Sequence, residues 1–250
     1  MNKGTAIESL KCSDKTKENL AQYAMGIASI LRDNLFGIYL CGSLARGCYH
    51  PATSDIDIVV ITRDINSESN IFPILQVHEK ADAAIDAVFL TENQMSVDEF
   101  PATVDFLVKP ISGYRIIRPA DGDRDLLLQR QDVYEAGVAL IGPTPQMAVR
   151  PVPWALLMKS FDFLFPNIIP HFKNPVLMLC RIAYAYEHRM LSSKCEAGRW
   201  AAKAFDGDWE SVIQAALDEY MNGVAQTLIP RATLIAFEEY CAQYIEGRCM

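Results

Sequence analysis

The sequence predicts an α/β half followed by an all-helical half, and three observations carry that reading. Strand-like apolar runs alternate with helical patterns up to about residue 142. "PTPQMAVRPVP", 143–153, then concentrates proline in the manner of a linker. After it only helical periodicity appears. The boundary is therefore placed at 150, with domains 1–150 and 151–250.

The elements follow in order. "SDKTKENLAQYAMGIASILRDNL", 13–35, repeats apolar residues every three or four positions behind a Ser-Asp start, which predicts a helix. "FGIYLCG", 36–42, is rich in β-formers and stops at glycine, so it reads as a strand, and a short helix is expected to open at Ser43. "DIDIVVIT", 55–62, is the next strand; 67–81 is mostly helical, disturbed or started by Pro73. "AAIDAVFLT", 83–91, reads as a third strand, 108–119 as one extended segment, 123–137 as a helix and "VALIG" as a brief strand. In the second half, helices are expected over 153–165, 174–190, 193–205, 208–222 and 230–246; the last but one runs from an Asp cap to a Gly stop.

Composition narrows the function. Half of the 250 residues are apolar and 22% are charged, a globular profile. No apolar run approaches a membrane span and no secretory h-region opens the chain, so no membrane partner is expected. The seven cysteines are scattered without a C-x-x-C, which reads as reduced thiols in a cytoplasm. A net charge of −8 with no basic run disfavours nucleic acid.

The chemistry concentrates in "YLCGSLARGCYHPATSDIDIVVI", 39–61. Residues i and i+2 of a strand share a face, so Asp55 and Asp57 are expected side by side. Two such anions repel unless a cation lies between them. Mg²⁺ suits them, because it takes hard oxygen ligands and keeps positions for substrate phosphates. Gly42 and Ser43, at a strand end before a helix start, supply the complement: backbone N–H groups and a hydroxyl for a phosphate. Asp86, mid-strand among apolar residues, is the candidate third carboxylate, as a metal ligand or a base.

Gly-Ser, a loop of eleven residues and Asp-x-Asp, with a later strand carboxylate, resembles the DNA polymerase β-like nucleotidyltransferase superfamily. "YEAGVALIGPTP" and "NPVLMLCRIAYAYEHRMLSSKCEAGRWAAKAF" look like the aminoglycoside adenylyltransferases that modify streptomycin and spectinomycin. The resemblance implies an α+β fold, with a mixed sheet flanked by helices and then a helical domain. It implies ATP as co-substrate, Asp55, Asp57 and Asp86 on Mg²⁺, Ser43 and Ser54 at the triphosphate, and Asp86 as base where the family has glutamate. Lys194 and Lys203 are the basic residues expected to grip the triphosphate. AMP would pass to a hydroxyl of a small acceptor such as spectinomycin. "RIAY", with Ala183 where streptomycin-modifying members show tryptophan, makes streptomycin the less expected acceptor. Two alternatives stand beside this reading: adenylylation of a protein hydroxyl, as by minimal antitoxin-type enzymes, or a non-catalytic nucleotide-binding module.

Overall fold

A computed structural model describes residues 5–110, 113–223 and 229–247. Two compact units emerge, Met1–Leu157 and Met158–Met250. In the first, helices α1 (Thr5–Glu8) and α2 (Asp14–Leu31) precede strand β1 (Leu35–Cys41). There follow α3 (Gly42–Ala45), β2 (Ile56–Thr62), α4 (Glu68–Lys80), β3 (Ile85–Thr91) and α5 (Glu92–Ser96). Strands β4 (Phe106–Pro110) and β5 (Tyr114–Ile117), helix α6 (Leu126–Ala136), β6 (Val138–Ile141) and α7 (Pro145–Ala148) complete it. Helix α8 (Trp154–Leu164) crosses the boundary, and the second unit continues with α9 (Ile168–His171), α10 (Pro175–His188), α11 (Lys194–Ala204), α12 (Trp209–Asn222) and α13 (Arg231–Glu246).

The six strands form one sheet in the order β5-β4-β3-β2-β1-β6. Only β2 and β3 run parallel, and α4 is the crossover that a parallel pair requires. Strand alternation decides which side chains meet which layer. Ile56, Ile58 and Val60 of β2, Ile85, Ala87 and Phe89 of β3, and Ile38 and Leu40 of β1 join one core with Leu20, Tyr23, Ile27 and Leu31 of α2. Phe89 and Phe106 stack within it, ring centroids 4.4 Å apart. The intervening residues face the other side of the sheet, and there Val59, Ile61, Val88 and Leu90 are also buried. Such double burial of the central strands makes them near-continuous apolar runs, so the two aspartates among them stand out.

Three local features differ from the sequence expectation. The segment 108–119 is not one extended run but β4 and β5, paired antiparallel from Leu107↔Ile117 to Pro110↔Tyr114. The proline-rich 143–153 contains α7, which Pro145 opens at a position where a missing N–H costs nothing. Cys12, Cys41, Cys180 and Cys241 are free thiols as expected, whereas Cys48 in the first unit and Cys195 in the second are each oxidised to a disulfide, against the expectation of reduced thiols.

The helical unit packs around α10, whose Val176, Leu177, Leu179, Cys180, Ile182 and Ala183 are buried. Gly198 lets α11 approach closely, for a Cβ there would lie 2.8 Å from Leu217 and 2.9 Å from Leu177. Among the described residues no helix is long and apolar enough to cross a membrane.

Candidate active site

The face of the sheet opposite the α2 layer carries the charged constellation. Asp57 and Asp86 are register partners on the parallel strands β2 and β3, so their side chains leave the sheet side by side. Across the antiparallel pair, Cys41 is the register partner of Asp57, and the chain turns into α3 at the next residue. That geometry brings Gly42 against Asp57. A Cβ on Gly42 would sit 1.9 Å from Asp57 Oδ2, and its φ of +68° lies in the left-handed region. Glycine is required here twice over, for space and for backbone conformation.

The Gly42 N–H donates to Asp132 Oδ2 of α6 at 2.6 Å, which differs from the expectation that this amide meets a phosphate. Asp132 Oδ1 in turn accepts from Arg46 Nε at 2.5 Å, and Arg46 Nη2 donates to Glu135 Oε2 at 3.0 Å. The side chains of Arg46 and Asp132 are only 10% and 8% exposed, so the pair is a buried fastening of the Gly-Ser turn to α6. Ser43 sits free of this arrangement: its hydroxyl oxygen is buried without a hydrogen-bond partner. Ser54 Oγ accepts the His50 N–H at 3.2 Å and closes the loop before β2.

Asp55 is exposed and lies just before β2 rather than within it. The expected i, i+2 pair is thus one half-buried carboxylate with an exposed one at its mouth. Asp57 is pushed up to about 7, first by burial, then by the charges of Asp86, Asp132 and Asp55, with Lys109 opposing. The part of that shift that comes from neighbouring carboxylates is one that a cation would relieve.

Asp86 already has a cation. Lys109 Nζ of β4 donates to Asp86 Oδ2 at 2.7 Å, and the two side chains are 23% and 18% exposed. Burial raises Asp86 above the usual carboxylate range and Lys109 pulls it back. Its other oxygen, Oδ1, is buried without a partner. Among the described residues no group of three or more His, Cys, Asp or Glu is arranged to hold a metal ion; of the three expected carboxylates, Asp57 and Asp86 stand side by side and Asp55 lies at the mouth of β2.

Lys194 and Lys203 belong to the helical unit, at the two ends of α11. Lys194 Nζ lies 5.2 Å over the Tyr220 ring, a cation–π contact, and Lys203 is exposed. Sequence reasoning missed Lys109, Asp132 and Arg46. The "VKP" lysine was open to discovery once β4 was set antiparallel to β3, since Ala87↔Val108 puts Asp86 and Lys109 on the following rung. Asp132 had no sequence signal.

Comparison with known proteins settles the lineage. A family model for the nucleotidyltransferase domain matches residues 25–111, and one for the aminoglycoside adenylyltransferase C-terminal domain matches 150–243. The chain belongs to the aminoglycoside nucleotidyltransferases. Its relatives include an aminoglycoside (3'')(9) adenylyltransferase of Escherichia coli, 28% identical over 138 residues, 53% of this chain and 51% of that protein. One of Klebsiella pneumoniae is 24% identical over 93% of this chain and 94% of its own length. The match to the first therefore spans about half of that enzyme's length. A solved spectinomycin adenyltransferase, AAD(9), of Enterococcus faecialis with ATP and spectinomycin shares the fold with a TM-score of 0.73 at 15% identity. That likeness covers 92% of this chain and 98% of that one. This α+β fold, a mixed sheet with flanking helices followed by a helical region, is the architecture of such enzymes.

Proposed function

We propose that this aminoglycoside nucleotidyltransferase transfers AMP from ATP to a hydroxyl of a small aminocyclitol acceptor of the spectinomycin type and releases pyrophosphate. The observation that carries the reading is the juxtaposition of Asp57, Asp86 and the Gly42-Ser43 turn on one sheet face. The acceptor class follows the solved relative that carries spectinomycin and the aminoglycoside C-terminal domain.

Magnesium fits this site by chemistry. Asp57 is a half-buried carboxylate raised by burial and then by its acidic neighbours, Asp55 adds a second hard oxygen donor, and Ser43 keeps an unpartnered buried hydroxyl. Asp55 and Asp57 would hold the ion, which when bound neutralises charge on the phosphates. The residues do the rest. Ser43 donates its hydroxyl hydrogen to a phosphate oxygen, and the Asp132–Arg46 pair keeps that turn in place. Asp86 is held through Oδ2 by Lys109, which leaves Oδ1 to take the acceptor's hydroxyl proton. The acceptor oxygen then bonds to the α-phosphorus as the bond from that phosphorus to the bridging oxygen breaks, and the bonding pair leaves with pyrophosphate.

The test is an acceptor screen with purified protein, ATP and Mg²⁺, read by mass spectrometry. The expected result is one AMP added to spectinomycin. ATP binding without modification of any aminocyclitol or aminoglycoside would overturn the assignment.

A further inference from the structure

We infer that the Lys109 ammonium is a built-in cation of the reaction centre, holding at Asp86 the place of a second divalent ion, so that this enzyme works with one metal ion, on Asp55 and Asp57. The inference deepens the proposed AMP transfer and rests on it.

Phosphoryl-type displacements are commonly served by a pair of divalent ions held between shared carboxylates. In this sheet the two inner carboxylates have unlike surroundings. Asp57 touches the Gly42 turn and has no cation against it among the described residues, whereas Asp86 is bonded at 2.7 Å to Lys109. The bond is imposed by the fold. Val108 is the register partner of Ala87, so Lys109 and Asp86 leave adjacent antiparallel strands on the same face, one rung further on. Lys109 is well buried, and burial alone would lower its pKa. Asp86, by charge and hydrogen bond, with Asp123 and Asp125 behind it, raises that pKa above the ordinary lysine value. The carboxylates that act on the ammonium are Asp86 of β3 and Asp123 and Asp125 just before α6, and the ammonium in turn acts on Asp57 of β2. Arg115, its register partner on β5, is exposed.

An ammonium so placed stays charged, and it repels any divalent ion brought to the same carboxylate. It also does part of what that ion would do, by fixing Asp86 and offsetting negative charge beside the phosphates. Unlike a metal ion it does so with no open coordination position, which leaves Asp86 Oδ1 for the proton of the acceptor.

The experiment counts Mn²⁺ bound to the full-length chain in the presence of saturating α,β-methylene ATP, by electron paramagnetic resonance. Wild type is expected to hold one ion per chain, Lys109→Met two, and Lys109→Arg, which keeps the charge, one. Two ions on the wild type would overturn the inference while leaving the reaction in place, and so would one ion on Lys109→Met. No ion on any of the three would overturn the proposed reaction itself, and the inference with it. The wild-type and Lys109→Arg counts decide the matter even if Lys109→Met fails to fold.

Discussion

Gly42→Ala is the smallest change that strikes the site at its narrowest point. The new Cβ would lie 1.9 Å from Asp57 Oδ2, where an ordinary carbon–oxygen contact is about 3.3 Å, so the carboxylate must retreat by ~1.4 Å. The residue must also hold a φ of +68°, which costs a side chain about 1–2 kcal/mol. The two effects appear in different assays. Backbone strain lowers stability and should bring the unfolding midpoint of the N-terminal unit down by roughly 2–8 °C. Displacement of Asp57 acts on chemistry, where a 1 Å misplacement can cost about 100-fold. Differential scanning calorimetry and pyrophosphate release, run on the same preparation, separate them. Turnover within threefold of wild type would refute the claim that Gly42 is there to make room for Asp57.

Further outcomes follow from the same contacts. Asp57 is pushed up to about 7 from 3.8, so between pH 4 and 7 the folded chain binds a proton that the unfolded chain releases. Stability without metal should therefore fall as pH rises through that window, by about 4 kcal/mol in all, and then level off; Asp57→Asn should flatten the slope in denaturant titrations. Asp132→Ala strips the Gly42 amide of its acceptor and takes the Asp132 carboxylate from buried Arg46, so chemical denaturation should show a loss of about 3 kcal/mol. Asp86→Asn should leave ATP binding in place by calorimetry and lower kcat by about 100- to 10,000-fold. If Lys203 grips the triphosphate, Lys203→Gln should raise the KM for ATP several-fold and leave the KM for the acceptor unchanged.

What the sequence made legible had short-range causes. β2 and β3 were readable because near-continuous apolar runs rich in β-branched residues mark strands buried on both faces. Asp57 and Asp86 were conspicuous because a charge in such a run needs a reason. The Gly-Ser turn and the Asp-x-Asp were readable together because phosphate chemistry fixes both residue types. The helices of the second unit, α10 to α13, fell within a residue or two of their expected bounds, since caps such as Ser193 and stops such as Gly223 are local signals.

What stayed hidden depends on which element lies beside which. Lys109 looks like an ordinary strand-end lysine until β4 is known to run antiparallel next to β3. Asp132 lies ninety residues from Gly42, and nothing in "LLLQRQDVYEA" announces that its carboxylate will take a backbone amide there. The i, i+2 rule placed Asp55 beside Asp57, but the strand begins at Ile56, so the nearest carboxylate in register comes from β3. The split of β4 from β5 could have been read from Ser112-Gly113, a turn signal inside the supposed extended run.

The central claim is that the half-buried carboxylate beside Gly42 serves nucleotide transfer. Pyrophosphate release by Asp57→Asn, measured with an acceptor that the wild type modifies and with folding verified by circular dichroism, addresses it most directly. The expected result is loss of turnover by at least about 100-fold with the fold intact. Undiminished release from a folded Asp57→Asn protein would contradict the account.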